Sequence, residues 1–397
     1  MTRVIQLREY HTSRVSGLTV AQAAAIAEVL RKADVSPTRE EGVFEITPHA
    51  IVGAATIGGI ELHILPKVEL SNVLFMVSYA IDPRRWREDL ASFKSVDTVV
   101  EAIIPAFVRM VHAAVGRGML HGYRDEQDSL LSVRGRIHMG EQVRRRHGVL
   151  VPVEVGYDDY TVDILENRLL KASLFALSRL RLRSPLVARM LHHTLGMFAE
   201  VELNNWHRGH IPRVHYTRLN EHYRPALELA KLILEGIALD AGSGGCPANG
   251  FILDMNKVFE AFVYRGLLEA LGVSESVFRH GHKGLTLDTG NQIGLEPDLS
   301  WWDEGQCRFV GDVKYKQLDK DEVRHDDMYQ MLAYMTATGL RESMLLYAGT
   351  KCTMSSFTFR HTGASVQVRT LNPAVPPGEL LNEIQISAES LRSSAFM

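Results

Sequence analysis

The sequence predicts an α/β chain. Runs that alternate apolar and polar residues are interleaved with runs whose apolar residues recur every three or four positions, and the last third reads helix, several short strands, helix, strand. At 397 residues the chain exceeds what one ordinary core holds, so more than one domain is expected. A hydrophobic content of 46% with 23% charged residues is that of a folding chain, and it excludes a collagenous, coiled-coil or largely disordered one.

Taken in order, VIQLREY (4–10) reads as a strand, and an alanine-rich amphipathic helix follows from Val20 to Leu30. The segment 44–68 alternates around Gly58-Gly59, the pattern of a β-hairpin. Helical periodicity marks 72–81 and 99–116, the second carrying Pro105. A strand pair is expected at 129–139 and 148–157, bracketing an Arg-rich turn, before three helices at 164–180, 184–201 and 223–239. DAGSGGCPANG (240–250) is too rich in Gly, Pro, Ser and Asn for a helix and reads as a linker. Beyond it, Asp254 can cap a helix whose stripe runs through Met255, Val258, Phe259, Phe262 and Leu267 until Gly272. Short strands at 277–282, 284–288, 295–302 and 307–316 precede a helix at 326–338 stopped by Gly339, a strand at 343–348 and a polar helix after Pro376. The expected organisation is an α/β N-terminal region (1–157), a helical middle (158–245) and a C-terminal domain (246–397) in the order αβββαβ.

A net charge of −3 excludes bulk electrostatic coating of nucleic acid, so any DNA contact must be local. Two basic stretches stand out: Arg134, Arg136, Arg144, Arg145, Arg146 and His147, then Arg179, Arg181, Arg183 and Arg189. Such runs are ordinarily solvated faces. Cys246, Cys307 and Cys352 lie too far apart for a CxxC metal site or a disulfide framework, and no apolar run is long enough to span a bilayer. A cytoplasmic protein without a membrane partner is expected. His280 and His282, and the group His207, His210 and His215 near Trp206, lack zinc spacing and read as structural or solvated. No Walker A loop, GxSxG or HExxH occurs, which leaves nucleotide hydrolysis and peptidase chemistry without a motif.

The chemistry gathers around one hairpin. With its turn at Asp303-Glu304-Gly305-Gln306, Asp298 and Asp312 fall opposite or nearly so. Opposed strand residues have Cβ atoms roughly 4.5–5.5 Å apart, so two carboxylates placed there repel one another. A divalent cation removes the repulsion, and hard Mg²⁺ favours one or two carboxylates with water and phosphate oxygens. Lys314 shares the face of Asp312, with Val313 on the other. Two acids and an ammonium suit phosphodiester hydrolysis. Glu260 on the preceding helix can complete the metal shell, directly or through water. Gln330 and Tyr334, four apart on the next helix, can touch the scissile strand or hold the strand that carries the acids. Composition alone yields about one acid-x-Lys tripeptide, so the weight lies in its surroundings. Trp301-Trp302 offers a ring for base stacking, although one of two adjacent strand residues faces the core.

LEPDLSWW, GDVKYK and YQMLAY in that order resemble the PD-(D/E)xK nuclease superfamily, and the QxxxY after the lysine is similar to its RecB-type branch. IGGIELHILPKV, LLSVRGRIHM, DDYTVDILENRLLKASL (158–174) and FILDMNKVFEAFV (251–263) together resemble the McrC family, nuclease subunits of McrBC modification-dependent restriction systems. The likeness covers about residues 50–350; residues 1–40 match the pattern poorly. It implies a restriction-endonuclease-like C-terminal domain with Asp298, Asp312 and Lys314 as catalytic triad and Glu260, Gln330 and Tyr334 beside it. It also implies an N-terminal region docked on a hexameric McrB-like AAA+ GTPase whose GTP hydrolysis it stimulates. Double-stranded methylated DNA would then be read by the motor and cut by this chain, and the missing P-loop agrees. Arg134 and Arg136 in VRGRI are the expected partner contacts. Two alternatives stay open: a RecB-like nuclease of repair or of another AAA+ defence system, and a non-catalytic adaptor that only activates the GTPase.

Overall fold

The computed structural model describes residues 3–84, 86, 98–147, 149–206, 209–239, 248–316 and 323–395. The chain forms two compact units, one drawn from residues 1–103 and 238–397 and the other from 104–237. On its first pass through the first unit it lays down β1 (Arg3–Arg8), β2 (Ser13–Val15), α1 (Val20–Leu30), β3 (Ala33–Pro37), β4 (Phe44–Pro48), β5 (Ile51–Ile57), β6 (Ile60–Leu65) and α2 (Leu70–Ile81). It enters the second unit along α3 (Val99–Val115). There it builds β7 (Gly122–Leu130), β8 (Arg136–Ile137), α4 (Met139–Arg146), β9 (Val153–Thr161), α5 (Leu165–Ser178), α6 (Pro185–Gly196) and α7 (Arg224–Gly236). The return begins with β10 (Ile237–Leu239), β11 (Ala248–Asp254), α8 (Met255–Leu271), β12 (Phe278–His280), β13 (Leu285–Thr286) and β14 (Gly294–Leu295). It ends with β15 (Leu299–Asp303), β16 (Gln306–Lys314), α9 (His325–Thr338), β17 (Glu342–Ala348), β18 (Met354–Thr358), β19 (Ser365–Leu371) and α10 (Pro377–Ala395).

The Gly58-Gly59 turn forms as its pattern predicts: both glycines take positive φ, 54° and 82°, and β5 and β6 pair antiparallel on either side. The sheet they nucleate runs β1-β6-β5-β11-β10, so a strand from the return pass sits beside the N-terminal hairpin. This is where the expected boundaries fail to follow the chain. The line at 245/246 separates β5 from its partner β11, and the line at 157/158 falls inside β9. Pairing between distant segments leaves no mark in local composition. Of the expected linker, Ala248–Gly250 belong to β11, and 240–247 lie outside the described residues, as do Cys246 and His207.

In the second unit, β7, β9 and β8 form a three-stranded sheet. The expected Arg-rich turn is instead the helix α4. Arg144 and Arg145 pair with Glu141 at 2.8 and 3.0 Å, and Arg146 reaches the buried Glu154 at 3.0 Å. Two acids, Glu141 and Glu154, thus engage all three arginines and offset most of their charge, which weakens the simplest reason to read the run as a phosphate-binding stripe.

The return pass of the first unit builds a six-stranded sheet ordered β12-β15-β16-β17-β19-β18, and helices frame it. Helix α8 starts where the Asp254 carboxylate accepts the Asn256 N–H at 3.1 Å and stops at Gly272, in the left-handed conformation. Its Phe262 packs edge-on against Phe75 and Tyr79 of α2, with centroids 5.3 and 5.5 Å apart. Helix α9 covers the opposite face of the sheet: Met331, Tyr334 and Met335 share a core with Val310, Leu345, Tyr347 and Val366. From Phe309 to Lys314, beyond the hairpin's bulge, even-numbered residues of β16 therefore face α9, and odd-numbered ones face α8. Among the described residues, no helix is long and apolar enough to cross a membrane.

The junction of the two passes depends on Gly53. It sits at φ 144° in the buried centre of β5, paired with Ile252 and Ile64, and a Cβ there would overlap the Phe251 carbonyl oxygen. Gly53→Ala is expected to cost about 2 kcal/mol or more of unfolding free energy. A lower urea midpoint at unchanged m-value is the measurement that checks it.

Candidate active site

The site is built by one register shift. The β15–β16 hairpin turns through Glu304 and Gly305, both at positive φ (47° and 80°), as a tight two-residue connection requires. Next to the turn Asp303 pairs with Gln306 and Trp302 with Cys307. A bulge between Trp301 and Trp302 then advances the register by one, so Trp301 meets Phe309 and Leu299 meets Gly311. Continued one step, this pairing sets Asp298 against Asp312; without the bulge Asp298 would face Gly311. The Asp298 carboxylate accepts the Val313 N–H at 2.8 Å, which locks the bend before β15 to the end of β16.

Asp312 is 1% exposed, and the Lys314 ammonium contacts its carboxylate. Among the described residues no hydrogen bond of regular geometry reaches either Asp312 oxygen. Burial raises its pKa even though Lys314 works against the rise. For Asp298, burial, then the Asp312 charge, then that of Glu260 push the pKa up to about 8. Burial opposes the charge on Lys314, yet Asp312, Asp298 and Asp327 outweigh it and hold its pKa above the usual value. Two acids are thus crowded and an amine is kept protonated.

Glu260 projects from the half-buried flank of α8, near enough to act on Asp298, and a 2.7 Å hydrogen bond joins it to His280 Nε2. The His280 ring stacks on Tyr264, with centroids 4.9 Å apart. Gln330 and Tyr334 meet as their spacing predicts: Gln330 Nε2 donates to the Tyr334 hydroxyl at 2.6 Å, and that hydroxyl donates to the Glu296 carbonyl at 3.0 Å. The pair therefore holds the Glu296-Pro297-Asp298 segment. Of the two roles open to it, holding the strand that carries the acids is the one its geometry serves.

Sequence reasoning missed four neighbours: Lys316, Asp327, Tyr347 and the role of His280. Lys316 donates to Asp327 at 2.9 Å, and the Tyr347 hydroxyl donates to the other Asp327 oxygen at 2.6 Å, extending the polar row past Lys314. The alternation that aligned Asp312 with Lys314 also points to Lys316, and Asp327 lies one helical turn before Gln330. His280, read as structural, is the partner of Glu260. Trp302 is half-buried, with His282 edge-on at 4.7 Å and the Arg279 guanidinium 5.1 Å from its ring centre, whereas Trp301 is in the core. The expected partner contacts lie in the second unit. Arg134 donates to Asp159 at 2.7 Å with its guanidinium 3.9 Å from the Tyr157 ring centre, and Arg136 is exposed on β8.

Among the described residues no three His, Cys, Asp or Glu side chains converge closely enough to hold a metal ion by themselves. The donor set nevertheless fits a hard cation that keeps most of its waters. It consists of carboxylate oxygens only, and both oxygens of the buried Asp312 lack a regular hydrogen bond.

A family model described as McrBC 5-methylcytosine restriction system component matches residues 46–348. No curated protein matches the chain. Among solved structures, a chain of the refined half-complex from the tetradecameric assembly of Thermococcus gammatolerans McrB AAA+ hexamers with bound McrC aligns with a TM-score of 0.55 at 20% identity, covering 98% of this chain and 99% of that one. A chain of the Thermococcus gammatolerans McrBC complex aligns with a TM-score of 0.44 at 26% identity, covering 70% and 89%. The first of these likenesses shows a shared fold.

A carboxyl whose pKa is higher folded than unfolded binds its proton more tightly in the folded state. With divalent cations chelated, stability should therefore fall as pH rises from the ordinary 3.8 to about 8. Asp298→Asn should flatten that fall and raise the melting temperature at pH 8 by about 2–4 °C. Thermal melts across this pH range in chelator check both outcomes.

Proposed function

The chain belongs to the McrBC 5-methylcytosine restriction system component family, and from that premise we propose that it is the system's nuclease subunit, a cytoplasmic Mg²⁺-dependent endodeoxyribonuclease that cuts DNA when assembled with a McrB-like AAA+ GTPase hexamer. The observation that carries the reading is the pair of opposed carboxylates, Asp298 and Asp312, with the Lys314 ammonium against them. Asp298 and Asp312 would hold the cation, with Glu260 reaching it through water. When bound, the cation supplies Lewis acidity to the phosphate and lowers the pKa of water.

The chain's own groups do the rest. Lys314, kept protonated by its acidic neighbours, donates to the phosphate oxygen on which negative charge grows, or orients the attacking water. Tyr334, tied to Gln330 and the Glu296 carbonyl, fixes the loop that carries Asp298. His280 orients Glu260.

The docking half of the proposal rests on the second unit. Around its three-stranded sheet Leu131 and Leu150 are 82% and 83% exposed, with Val133, Met139, Val143 and Val151 also in solvent. An apolar surface of this kind suits a protein partner. With no P-loop in the chain, the motor, its GTP hydrolysis and the reading of the methylated base fall to that partner, for which the AAA+ hexamers that carry bound McrC in the Thermococcus gammatolerans assembly are the precedent for docking.

The test is cleavage of methylated and unmethylated double-stranded DNA by the chain mixed with its GTPase, Mg²⁺ and GTP. Asp312→Ala should lower cutting at least about a hundredfold while leaving stimulation of the partner's GTPase intact. Equal cutting by mutant and parent would sink the assignment, and parental cutting indifferent to methylation would favour a RecB-like repair nuclease. Arg136→Ala should weaken GTPase stimulation several-fold with the thermal stability of the chain unchanged; undiminished stimulation removes Arg136 from the interface.

A further inference from the structure

The end of the catalytic strand is held on one side only. Pairing of β16 with β15 stops at Gly311, and from there to Lys314 the ladder continues only with β17, apart from the Asp298 carboxylate on the Val313 N–H. Tyr315 and Lys316 lie beyond the end of the strand, and among the described residues no strand meets the Tyr315 carbonyl. A side chain from the first turn of the molecule supplies the missing bond: the Tyr10 hydroxyl donates to the Tyr315 carbonyl at 2.7 Å.

The Tyr315 side chain is trapped as well. It is 1% exposed, its ring lies 5.5 Å from that of Phe259 on α8 and 3.9 Å from the Lys67 ammonium, and its hydroxyl donates to Glu9 Oε2 at 3.3 Å. Glu9, 3% exposed, also takes the Lys67 backbone N–H at 3.1 Å. Tyr10 is fixed in turn, its own N–H donating to the Pro48 carbonyl at 2.8 Å. It sits at a φ of 58°, a left-handed conformation that a bulky side chain keeps only where its surroundings impose it. Lys314 and Lys316, on either side of Tyr315, point to the opposite face and into the polar row. Anchoring Tyr315 therefore sets where both ammonium groups stand.

We infer that Tyr10, backed by Glu9 and Lys67, is a positioning residue for the catalytic lysine, so that the N-terminal β1 segment is a working part of the nuclease site. The inference rests on the nuclease reading above. A displacement of Lys314 by a fraction of an ångström leaves DNA binding intact and slows the chemical step, because the ammonium acts on charge that grows only as the phosphate reacts.

The experiment compares parent, Tyr10→Phe and, as a control on the same N-terminal surface, Arg14→Ala, each with the partner GTPase, GTP, Mg²⁺ and methylated DNA. Among the described contacts Arg14 pairs only with Glu45 and makes none with Tyr10, Tyr315, Glu9 or Lys67. Tyr10→Phe should lower turnover about tenfold, with the apparent KM for DNA, the GTPase stimulation and the melting temperature close to parental, and Arg14→Ala should behave as the parent. Parental turnover in Tyr10→Phe overturns the inference alone. A fall in turnover that comes with lost GTPase stimulation and a lower melting temperature assigns Tyr10 to folding and overturns it too. A parent that does not cut under any of these conditions overturns the nuclease reading and this inference with it.

Discussion

Two carboxyl groups brought face to face, Asp312 buried on β16 and Asp298 half-buried just before β15, are the constraint around which the first unit is arranged. Buried carboxylates repel and lose hydration, and a fold chosen for stability alone would place apolar residues at 298 and 312. The surrounding structure holds them together all the same: a bulge sets the register, the Val313 amide clamps Asp298, and Lys314 offsets part of the charge without giving Asp312 a regular hydrogen bond. Stability given up at one point in this way is characteristic of a site kept for chemistry.

The rest of the unit reads as scaffolding for that contact. Helix α9 brings a hydroxyl to the Glu296 carbonyl and an acid to Lys316, so the two loops flanking the carboxylates are tied to one rigid element. Helix α8 carries Glu260 on one flank and, through Phe259, supports Tyr315 on another. Gly266 of the same helix leaves room for Ile384 of α10, which lets the last helix close over it. None of these elements is unusual alone. Their arrangement converts a costly pair of acids into an ordered one.

Much of this was legible in the sequence, for physical reasons. Hairpin pairing follows from turn position, so the meeting of Asp298 with Asp312 followed from counting residues, although the bulge that completes the register was invisible to the count. Strand alternation placed Lys314 with Asp312, and helical spacing placed Gln330 with Tyr334. What stayed hidden came from far away in the chain or from competition between side chains. Tyr10 meets Tyr315 across about 300 residues, and no local pattern encodes that. His280, grouped with His282, read as structural or solvated because its partner lies on another element, and Arg144 to Arg146 stood out as a basic run because their acids are distributed before and after them. The unit boundaries were misplaced for the first of these reasons, since β11 joins a sheet begun two hundred or so residues earlier.

That late strand has a bearing on how the protein is made. Because β11 completes the sheet that β5 and β6 begin, the N-terminal hairpin waits on the ribosome for a partner synthesised about 200 residues later, while the intervening unit has every strand of its own sheet already in hand. The segment 104–237 is thus the one suited to fold during translation, and the carboxylate pair assembles only once nearly the whole polypeptide has emerged. A chain broken off before β16 would lack the carboxylate pair altogether.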